Sequence, residues 1–331
     1  MTPLNDTPTN NVDMEANSFS QQTGVKKIPK YFDGISLNAD KQLALVASNL
    51  TGKFWHGAVA VFNDARLAPN LPHVDYATSV EGGCVDVAWI DSERLAVATD
   101  HGAIDVWKLK ECPTVENSLV LAEHNDICCC IDVSTHSSQL LSGSYDAAVK
   151  VWDLAVDLSI NTYNVHSDKV VDVAWSKHSV NVFASASEDG TINVYDNRTT
   201  EAKPCSVLFQ SLDAHPTCID WIDEHRLCAG FSNGSVGVLK MEDPGKLLHC
   251  IETAHSKPVN KVVYLRNNMV ASGSEDAAVK VHGVECGTVC YSNTDHTDYV
   301  QDVVFSPDEL VMYSCAYDGQ VLTHNVDFVG K

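Results

Sequence analysis

HNDICCCIDVSTHSSQLLSGSYDAAVKVWD, which runs from His124 to Asp153, is the stretch of this sequence that decides the fold. It contains three short apolar or alternating runs, at Ile127–Val133, Gln139–Gly143 and Ala148–Trp152, separated by turn-forming serine and aspartate. Each run has the length of a β-strand and is rich in β-branched residues and cysteine. A meander this small exposes both faces and cannot fold alone. We therefore expect it to be one copy of a repeated unit.

Six further copies of the unit are present, and five of the seven copies open with a histidine. The position of Trp152 recurs in every copy at intervals of 42 to 45 residues. The residues at this position are Phe62, Trp107, Trp152, Tyr195, Leu239, His282 and His324. This period, with its histidine, Ser-x-Asp turn and aromatic–Asp end, resembles the WD-repeat family, in which each repeat forms a four-stranded blade. Seven copies predict an all-β, seven-bladed WD-repeat β-propeller.

The last copy ends soon after its third strand, so the outer strand of the seventh blade needs another source. We predict that an N-terminal strand near Gly24–Pro29 supplies it, which closes the ring and removes an open sheet edge. Residues 25–327 are then the propeller, residues 1–24 a disordered polar arm and residues 328–331 a C-terminal tail. Length alone would suggest two domains, but the repeat favours one ring.

The composition limits the classes of partner. A net charge of −22 opposes nucleic acid and anionic lipid and favours basic partners. No apolar run is long enough for a membrane span, and the polar N-terminus does not resemble a signal peptide. Seven of the 12 cysteines stand in predicted strands as small apolar residues, and no paired C-x-x-C motif predicts a metal site. We expect a cytoplasmic or nuclear protein without metal or cofactor.

Serine, histidine and aspartate recur together, so a catalytic triad has to be weighed against a structural network. The first set is His124, Ser142, Asp146 and Trp152, and the second is His166, Ser185, Asp189 and Tyr195. The copy that begins at His255 repeats the pattern with Ser272, Asp276 and His282. A triad occurs once in a chain, whereas these residues recur in phase. We predict that these groups form structural hydrogen-bond networks inside their blades, with no catalytic residue and no enzyme activity.

The first copy departs most from the pattern, at Asn49–His56. The other copies connect their second and third strands in a few residues, whereas here the connection is longer and aromatic. An aromatic pair on an exposed loop is unfavourable in water unless a partner covers it, or unless Trp55 folds back on its own blade. The predicted partner-binding residues are Thr51, Gly52, Lys53, Phe54, Trp55 and His56.

A second departure is the sequence Tyr195-Asp196-Asn197-Arg198. It has the form of the WDxR box through which some WD-repeat proteins bind the adaptor of cullin-RING ubiquitin ligases. Tyr195, Asp196 and Arg198 are therefore the candidate site of an alternative function, a ubiquitin-ligase substrate receptor. A motif this short also arises by chance.

Several stretches resemble one branch of the WD-repeat family, the methylosome subunits that are partners of type II, or symmetric, protein arginine methyltransferases. They are ASNLTGKFWHGAVAVF (Ala47–Phe62), EHNDI (Glu123–Ile127), SEDGTINVYDNR (Ser187–Arg198), HTDYVQDVVFSP (His296–Pro307) and YDGQVLTHNV (Tyr317–Val326). The first stretch is the most specific, because it is an unusual first blade, and the whole resembles an arthropod member. The chain departs from the general WD pattern in lacking the glycine before the repeat histidine.

This resemblance implies a non-catalytic scaffold. In the family, the propeller binds the N-terminal TIM-barrel domain of the methyltransferase in an assembly of four of each chain, and a loop tryptophan, here Trp55, is a main contact. The implied substrates are basic, arginine–glycine-rich proteins such as Sm proteins and histone tails. A germline member would add Vasa- or Piwi-type substrates, a Tudor-domain partner and a germ-plasm location. Negative charge would then concentrate cationic tails near the enzyme.

Overall fold

A computed structural model describes residues 25, 27–51, 54–199, 202–211 and 213–326, with the backbone alone for Thr51 and Phe54. Within these residues, 27 β-strands form seven antiparallel sheets, each built from consecutive strands. Two single-turn 3₁₀ segments, Ala65–Leu67 and Leu71–His73, lie between the third and fourth strands of the first sheet. No helix in this part of the chain is long and apolar enough to cross a membrane.

Each sheet is one blade, and its strands are numbered in chain order. The first three blades are β1 Tyr31–Leu37, β2 Leu43–Thr51, β3 Phe54–Phe62, β4 Tyr76–Glu81; β5 Cys84–Trp89, β6 Arg94–Thr99, β7 Ala103–Leu109, β8 Val115–Ala122; and β9 Cys128–Val133, β10 Gln139–Ser144, β11 Val149–Asp153, β12 Leu158–Tyr163. The fourth and fifth blades are β13 Val170–Trp175, β14 Val182–Ser187, β15 Thr191–Asp196, β16 Ser206–Gln210; and β17 Pro216–Trp221, β18 Arg226–Phe231, β19 Val236–Lys240, β20 Leu247–Ile251. The last two are β21 Val259–Tyr264, β22 Met269–Ser274, β23 Val279–Gly283, β24 Val289–Asn293; and β25 Val300–Ser306, β26 Val311–Ala316, β27 Val321–Asn325.

The recurring position of Trp152 lies at the same place in every blade, on the third strand and opposite the start of the second. Trp152 pairs with Leu140, and Tyr195 pairs with Phe183 in the next blade. All seven side chains at this position are buried, with at most 8% of their surface exposed. The structure therefore confirms the repeat phase and the all-β, seven-bladed propeller.

The hydrophobic core lies between neighbouring blades. Val46 of the first blade packs in one cluster with Trp89 of the second, and Ile192 of the fourth packs in another with Trp221 of the fifth. Both faces of the middle strands are consequently buried. Burial of a large apolar side chain contributes about 1.5–3 kcal/mol. Each blade is therefore stable only in contact with its neighbours.

Aspartates on the innermost strands join neighbouring blades. In five pairs among the described residues, the carboxylate of one blade accepts a hydrogen bond from a backbone N–H of the next. The pairs are Ile131–Asp86 at 2.8 Å, Trp175–Asp132 at 2.6 Å, Ile219–Asp172 at 2.8 Å, Tyr264–Asp220 at 2.8 Å and Ile35–Asp302 at 3.0 Å. Hydrogen bonds to charged groups contribute about 1.5–3 kcal/mol, more than neutral ones. These bonds thus fix the position of each blade relative to the next.

The chain that precedes β1 packs against the seventh blade, as ring closure requires. Val25 and Ile28 are buried in a cluster with Tyr313 and Cys315 of β26, and Val321 of β27 packs against that cluster. Within the described residues the seventh sheet has three strands. The predicted fourth strand near residues 24–29 lies partly outside those residues and stays a prediction. The predicted arm at residues 1–24 and tail at 328–331 lie outside them altogether.

Candidate partner-binding site

The second and third strands of the first blade form an unusually long hairpin. Strands β2 and β3 have nine residues each, whereas the corresponding strands of the other blades have five to seven. Their pairing runs through Asn49–His56, so that only residues 52 and 53, outside the described part of the chain, separate the strands. The expectation of a longer loop here is wrong, because the added residues extend the strands. Their threonine and aromatic content favours strand structure.

The base of this hairpin is fixed to the second blade. The Ser48 hydroxyl donates a hydrogen bond to the Cys84 carbonyl at 3.0 Å and accepts one from the Cys84 N–H at 2.9 Å. Beside it, a β-carbon on Gly57 would overlap the Cys84 thiol and approach the Gly82 carbonyl, so only glycine fits there. His56 also bridges to Gly82. The hairpin therefore projects from a rigid base rather than from a flexible loop.

Two large apolar side chains are exposed near the end of the hairpin. Leu50 is 50% exposed and Trp55 is 46% exposed. The two residues are directly paired across the strands, so their side chains stand on the same face. They form one apolar surface, named here the Leu50–Trp55 pair, and Trp55 does not fold back into its own blade.

The structure places four of the six predicted partner-binding residues, Thr51, Phe54, Trp55 and His56, near the end of this hairpin. Trp55 and His56 are exposed. Thr51 and Phe54 pair through their backbones, and Gly52 and Lys53 lie outside the described residues. Sequence reasoning missed Leu50, although its position five residues before Trp55 follows from a two-residue hairpin.

The residues of the predicted network meet inside the third blade. His124 Nδ1 lies 3.1 Å from Asp146 Oδ2, and His124 Nε2 lies 2.7 Å from Ser142 Oγ. The Trp152 indole N–H donates to Ser142 Oγ at 2.9 Å. A carboxylate can only accept, so Nδ1 carries the proton and Nε2 accepts from the serine hydroxyl. Every polar group in this chain of contacts has a partner.

Burial and hydrogen bonding set the protonation states of these networks. Burial lowers the pKa of the His124 ring, which is therefore neutral at pH 7. Burial alone would raise the pKa of Asp146, but the Asn125 N–H and the His124 ring together hold it below its usual value. Burial also lowers the pKa of His282 and of His324 to about 4. The histidine rings therefore stay neutral and Asp146 stays ionised in the fold, so neither changes its protonation state near pH 7.

The network recurs as predicted in the fourth and sixth blades. The histidine lies 3.0 Å from the aspartate and 2.7–2.8 Å from the serine in each. The sets are His166, Ser185, Asp189 and Tyr195, then His255, Ser272, Asp276 and His282. The serines of these networks are 0% exposed. A hydroxyl that no substrate can reach cannot be a nucleophile.

Sequence reasoning missed a fourth network, in the seventh blade. His296 lies 3.0 Å from Asp318 and 2.8 Å from Ser314, and Ser314 lies 2.8 Å from His324 Nε2. The Tyr291 hydroxyl lies 2.9 Å from the other ring nitrogen of His324. The signal was the same spacing from histidine to serine to aspartate, with histidine again in the position of tryptophan. Histidine replaces tryptophan here because its N–H can also donate to the serine.

The candidate ligase-adaptor box does not form one surface. Tyr195 is fully buried in the network of the fourth blade. Arg198 is exposed and makes an ion pair with Asp196, with its Nη2 2.6 Å from Asp196 Oδ2. The Arg198 guanidinium is therefore already engaged by its own chain.

A second polar region, missed from the sequence, lines the central channel. It consists of residues near the start of the innermost strands, such as Asp86 and Asp172, and of Lys261 in the same register. The signal was the Asp that precedes Val in the repeats at residues 86–89, 172–175 and 302–305. Among the described residues, no group of three or more His, Cys, Asp or Glu side chains has an arrangement that could hold a metal ion.

Comparison with known proteins agrees with this architecture. The family model named WD domain, G-beta repeat matches residues 116–153, 158–196 and 287–323. Methylosome protein WDR77 from Xenopus laevis is 31% identical over 299 residues, which cover 88% of each chain. This chain belongs to the methylosome WD-repeat protein family. The resemblance drawn from the sequence is thereby confirmed, and the family's propeller indicates a scaffold rather than a catalyst.

Other members of the wider WD-repeat group are similar over shorter stretches. GATOR2 complex protein WDR24 from Homo sapiens is 30% identical over 187 residues, which are 54% of this chain and 23% of that protein. Coronin-7 from Pongo abelii is 31% identical over 151 residues, 43% of this chain and 16% of its own length. These matches extend over part of the ring, whereas the match to the methylosome protein extends over nearly all of it.

Proposed function

We propose that this chain is a non-catalytic scaffold that binds a type II protein arginine methyltransferase through the hairpin of its first blade. The relationship to methylosome protein WDR77 supports this class of partner. The observation that carries the choice of site is the exposed Leu50–Trp55 pair at the end of a rigidly based hairpin.

The hairpin favours binding through the large area of the Trp55 ring and through its fixed conformation. Tryptophan contributes the largest share of affinity at many interfaces because its ring buries a large area with few rotatable bonds. The Ser48 and Gly57 contacts hold the hairpin base in place before any partner arrives. Little conformational freedom is therefore lost on binding, which favours affinity.

The charge of the chain indicates what the assembly would act on. With 44 acidic and 22 basic residues, the scaffold attracts cationic segments and repels nucleic acid. We propose basic, arginine–glycine-rich proteins, including Sm proteins and histone tails, as the substrates it presents. An assembly of four of each chain, a Tudor-domain partner, germline Vasa- or Piwi-type substrates and a location in cytoplasm, nucleus or germ plasm are further parts of this proposal.

The direct test is co-elution of Trp55→Ala with the methyltransferase on size exclusion, with affinities measured by calorimetry. The matched control is Leu158→Ala on the outer strand of the third blade, which removes another exposed apolar side chain, 60% exposed against 46% for Trp55, from a different surface. We expect Trp55→Ala to weaken binding by about 30-fold or more and Leu158→Ala to leave it unchanged. Equal affinities for the wild type and a folded Trp55→Ala would refute the site.

A further inference from the structure

The central channel opens into a cavity of about 320 Å³ at one mouth. Two of its lining residues, Tyr145 and Tyr317, stand in the turns between the second and third strands of the third and seventh blades. The Leu50–Trp55 pair lies on the hairpin that joins the same two strands in the first blade. All blades have the same strand order, so these turns point to one face of the ring. The cavity and the hairpin therefore open on the same face.

The wall of this cavity carries unbalanced negative charge. The carboxyl groups of Asp33, Asp86, Asp172 and Asp302 line it, with Lys261 as the cationic residue among them. Lys261 Nζ lies 4.0 Å from Asp302 Oδ1, at the outer limit of an ion pair. One ammonium group cannot neutralise four carboxylates, and burial increases their mutual repulsion.

Asp33 differs from the other three carboxyl groups. Asp86, Asp172 and Asp302 each accept a backbone N–H from the next blade on one oxygen and the N–H of the following residue on the other. Asp33 Oδ2 is buried and has no hydrogen-bond partner within the described residues. Burial raises the pKa of Asp33 to about 7, although the neighbouring polar groups of Ser48 and Tyr317 oppose this. A buried acceptor without a donor raises the free energy of the folded state, and a bound cation with N–H donors would remove that cost.

The excess of carboxyl groups is smaller at the opposite mouth of the channel. Three aspartates, Asp132, Asp172 and Asp220, line the cavity there together with two lysines, Lys177 and Lys261, among mainly apolar side chains. Lys177 Nζ contacts both oxygens of Asp220, at 2.7 and 3.0 Å. The ammonium group is thus matched to a carboxylate at that mouth. The larger excess of carboxyl groups over ammonium groups therefore lies at the mouth that shares a face with the hairpin.

We propose that this mouth binds the guanidinium group of an arginine side chain from a basic polypeptide. A guanidinium group presents five N–H donors in one plane, which suits several carboxylates arranged around an opening better than the compact ammonium of lysine does. It is also weakly hydrated and stacks on aromatic rings. The Tyr145 ring at the rim is 37% exposed and already has the Lys169 ammonium group 4.6 Å from its centre, so it is a ring that a cation contacts in this fold. The choice of a polypeptide ligand rests on the proposed function, but the demand for a cation does not.

The test uses the full chain alone and three labelled peptides of the same length. One carries three Arg-Gly-Gly repeats, the second has lysine in place of each arginine, and the third has the neutral isostere citrulline. Fluorescence anisotropy is measured at pH 8, where Asp33 is ionised. We expect the arginine peptide to bind several-fold more tightly than the lysine peptide, and the citrulline peptide not to bind.

Single substitutions test whether the arginine peptide binds at the channel mouth. Asp33→Asn is expected to weaken binding of the arginine peptide about tenfold. Glu116→Gln, which removes the same charge from the outer strand of the second blade, is expected to have no effect. Equal affinities for arginine and lysine peptides, or equal losses in the two variants, would show general charge attraction and overturn the proposal. If Asp33→Asn fails to fold, Tyr145→Ala replaces it, and we expect that variant to weaken binding of the arginine peptide while Glu116→Gln does not.

This outcome is separable from that of the proposed function. Trp55 lies outside the channel mouth, so we expect the Trp55→Ala variant to bind the arginine peptide with the affinity of the wild type. Loss of methyltransferase binding with intact peptide binding would support both proposals. If Trp55→Ala still binds the methyltransferase, the proposed hairpin site is wrong, but the proposed arginine site at the channel mouth is unaffected.

Discussion

The third and first blades have the same strand order but use their second turn differently. In the third blade, Asp146 of that turn holds His124, which in turn holds Ser142 inside the blade. In the first blade, Leu45 occupies the register of Ser142 and packs in an apolar cluster. The first blade therefore needs no aspartate in its turn. A turn released from a structural role is free to lengthen and to display a side chain such as Trp55.

The largest expected effect falls on the regular blade. Trp152 is 1% exposed and donates its N–H to Ser142. Replacing it with alanine leaves a cavity between blades and an unpaired serine, so we expect Trp152→Ala to lower the free energy of unfolding by about 3–5 kcal/mol. Urea denaturation followed by circular dichroism measures this. A loss below 1 kcal/mol would show that Trp152 contributes no more to the stability of the third blade than Trp55 contributes to that of the first blade.

A smaller loss is expected when the hydroxyl alone is removed. Ser142→Ala leaves His124 Nε2 and the Trp152 N–H buried without their partner. Each unmade buried hydrogen bond costs about 1–3 kcal/mol, and the two costs are not fully additive because both bonds end at the same hydroxyl, so we expect a total loss of about 2–4 kcal/mol. The matched control is Ser79→Ala on the outer strand of the first blade, which has an exposed side chain. Equal stabilities for the two variants would contradict a structural role for the network.

Low pH should destabilise the networks in which a histidine occupies the position of Trp152. The folded-state pKa of His282 is about 4, below the usual value near 6.5, so only the unfolded chain takes up a proton between these values. That site therefore loses stability as the pH falls from about 6.5 to about 4. Burial raises the pKa of Asp132 to about 7 and those of Asp172 and Asp302 to about 6, which opposes this trend.

The contribution of the histidine is isolated by His282→Phe. We expect this variant to lose about 2 kcal/mol less stability than the wild type between pH 6.5 and 4.5, because the titrating ring is gone and the aspartates remain. Urea midpoints across this pH range measure the difference. Parallel curves for the two proteins would show that His282 does not titrate differently in the folded and unfolded chains.

In the hairpin, by contrast, substitution should affect binding and not stability. Trp55 is 46% exposed, so we expect Trp55→Ala to change the free energy of unfolding by less than about 1 kcal/mol. The same denaturation experiment compares it with Trp152→Ala. A large loss of stability would mean that the Trp55 ring supports its blade, and would remove the contrast between the two regions.

The smallest effect is expected at Arg198. Its ion pair with Asp196 is exposed, and exposed pairs contribute little. Arg198→Ala should leave the thermal midpoint and methyltransferase binding unchanged. Loss of a cullin adaptor from pull-downs with this variant would instead support the ligase-receptor function.

Local spacing explains how much of this molecule could be predicted from its sequence. The period of 42 to 45 residues predicts the ring, and the recurring spacing after His124 predicts the networks. The hairpin was placed correctly but given the wrong structure, because a threonine–aromatic segment favours strand or loop according to what its base contacts. The channel mouth was missed, because it joins side chains from separate blades, such as Asp33 and Asp302, that no local pattern relates.

The hydrogen bond between the Ile35 N–H and Asp302 also bears on how the chain is made. These residues are 267 positions apart in the sequence, yet they are neighbours around the ring. Contacts of such separation form late, because loop-closure entropy opposes them until the intervening chain is ordered. During synthesis the first blade emerges long before the seventh, and its apolar face stays uncovered in the meantime. The nascent chain is therefore prone to aggregation until its final repeat is complete. Truncation within that repeat should consequently be more harmful than the small number of residues removed suggests.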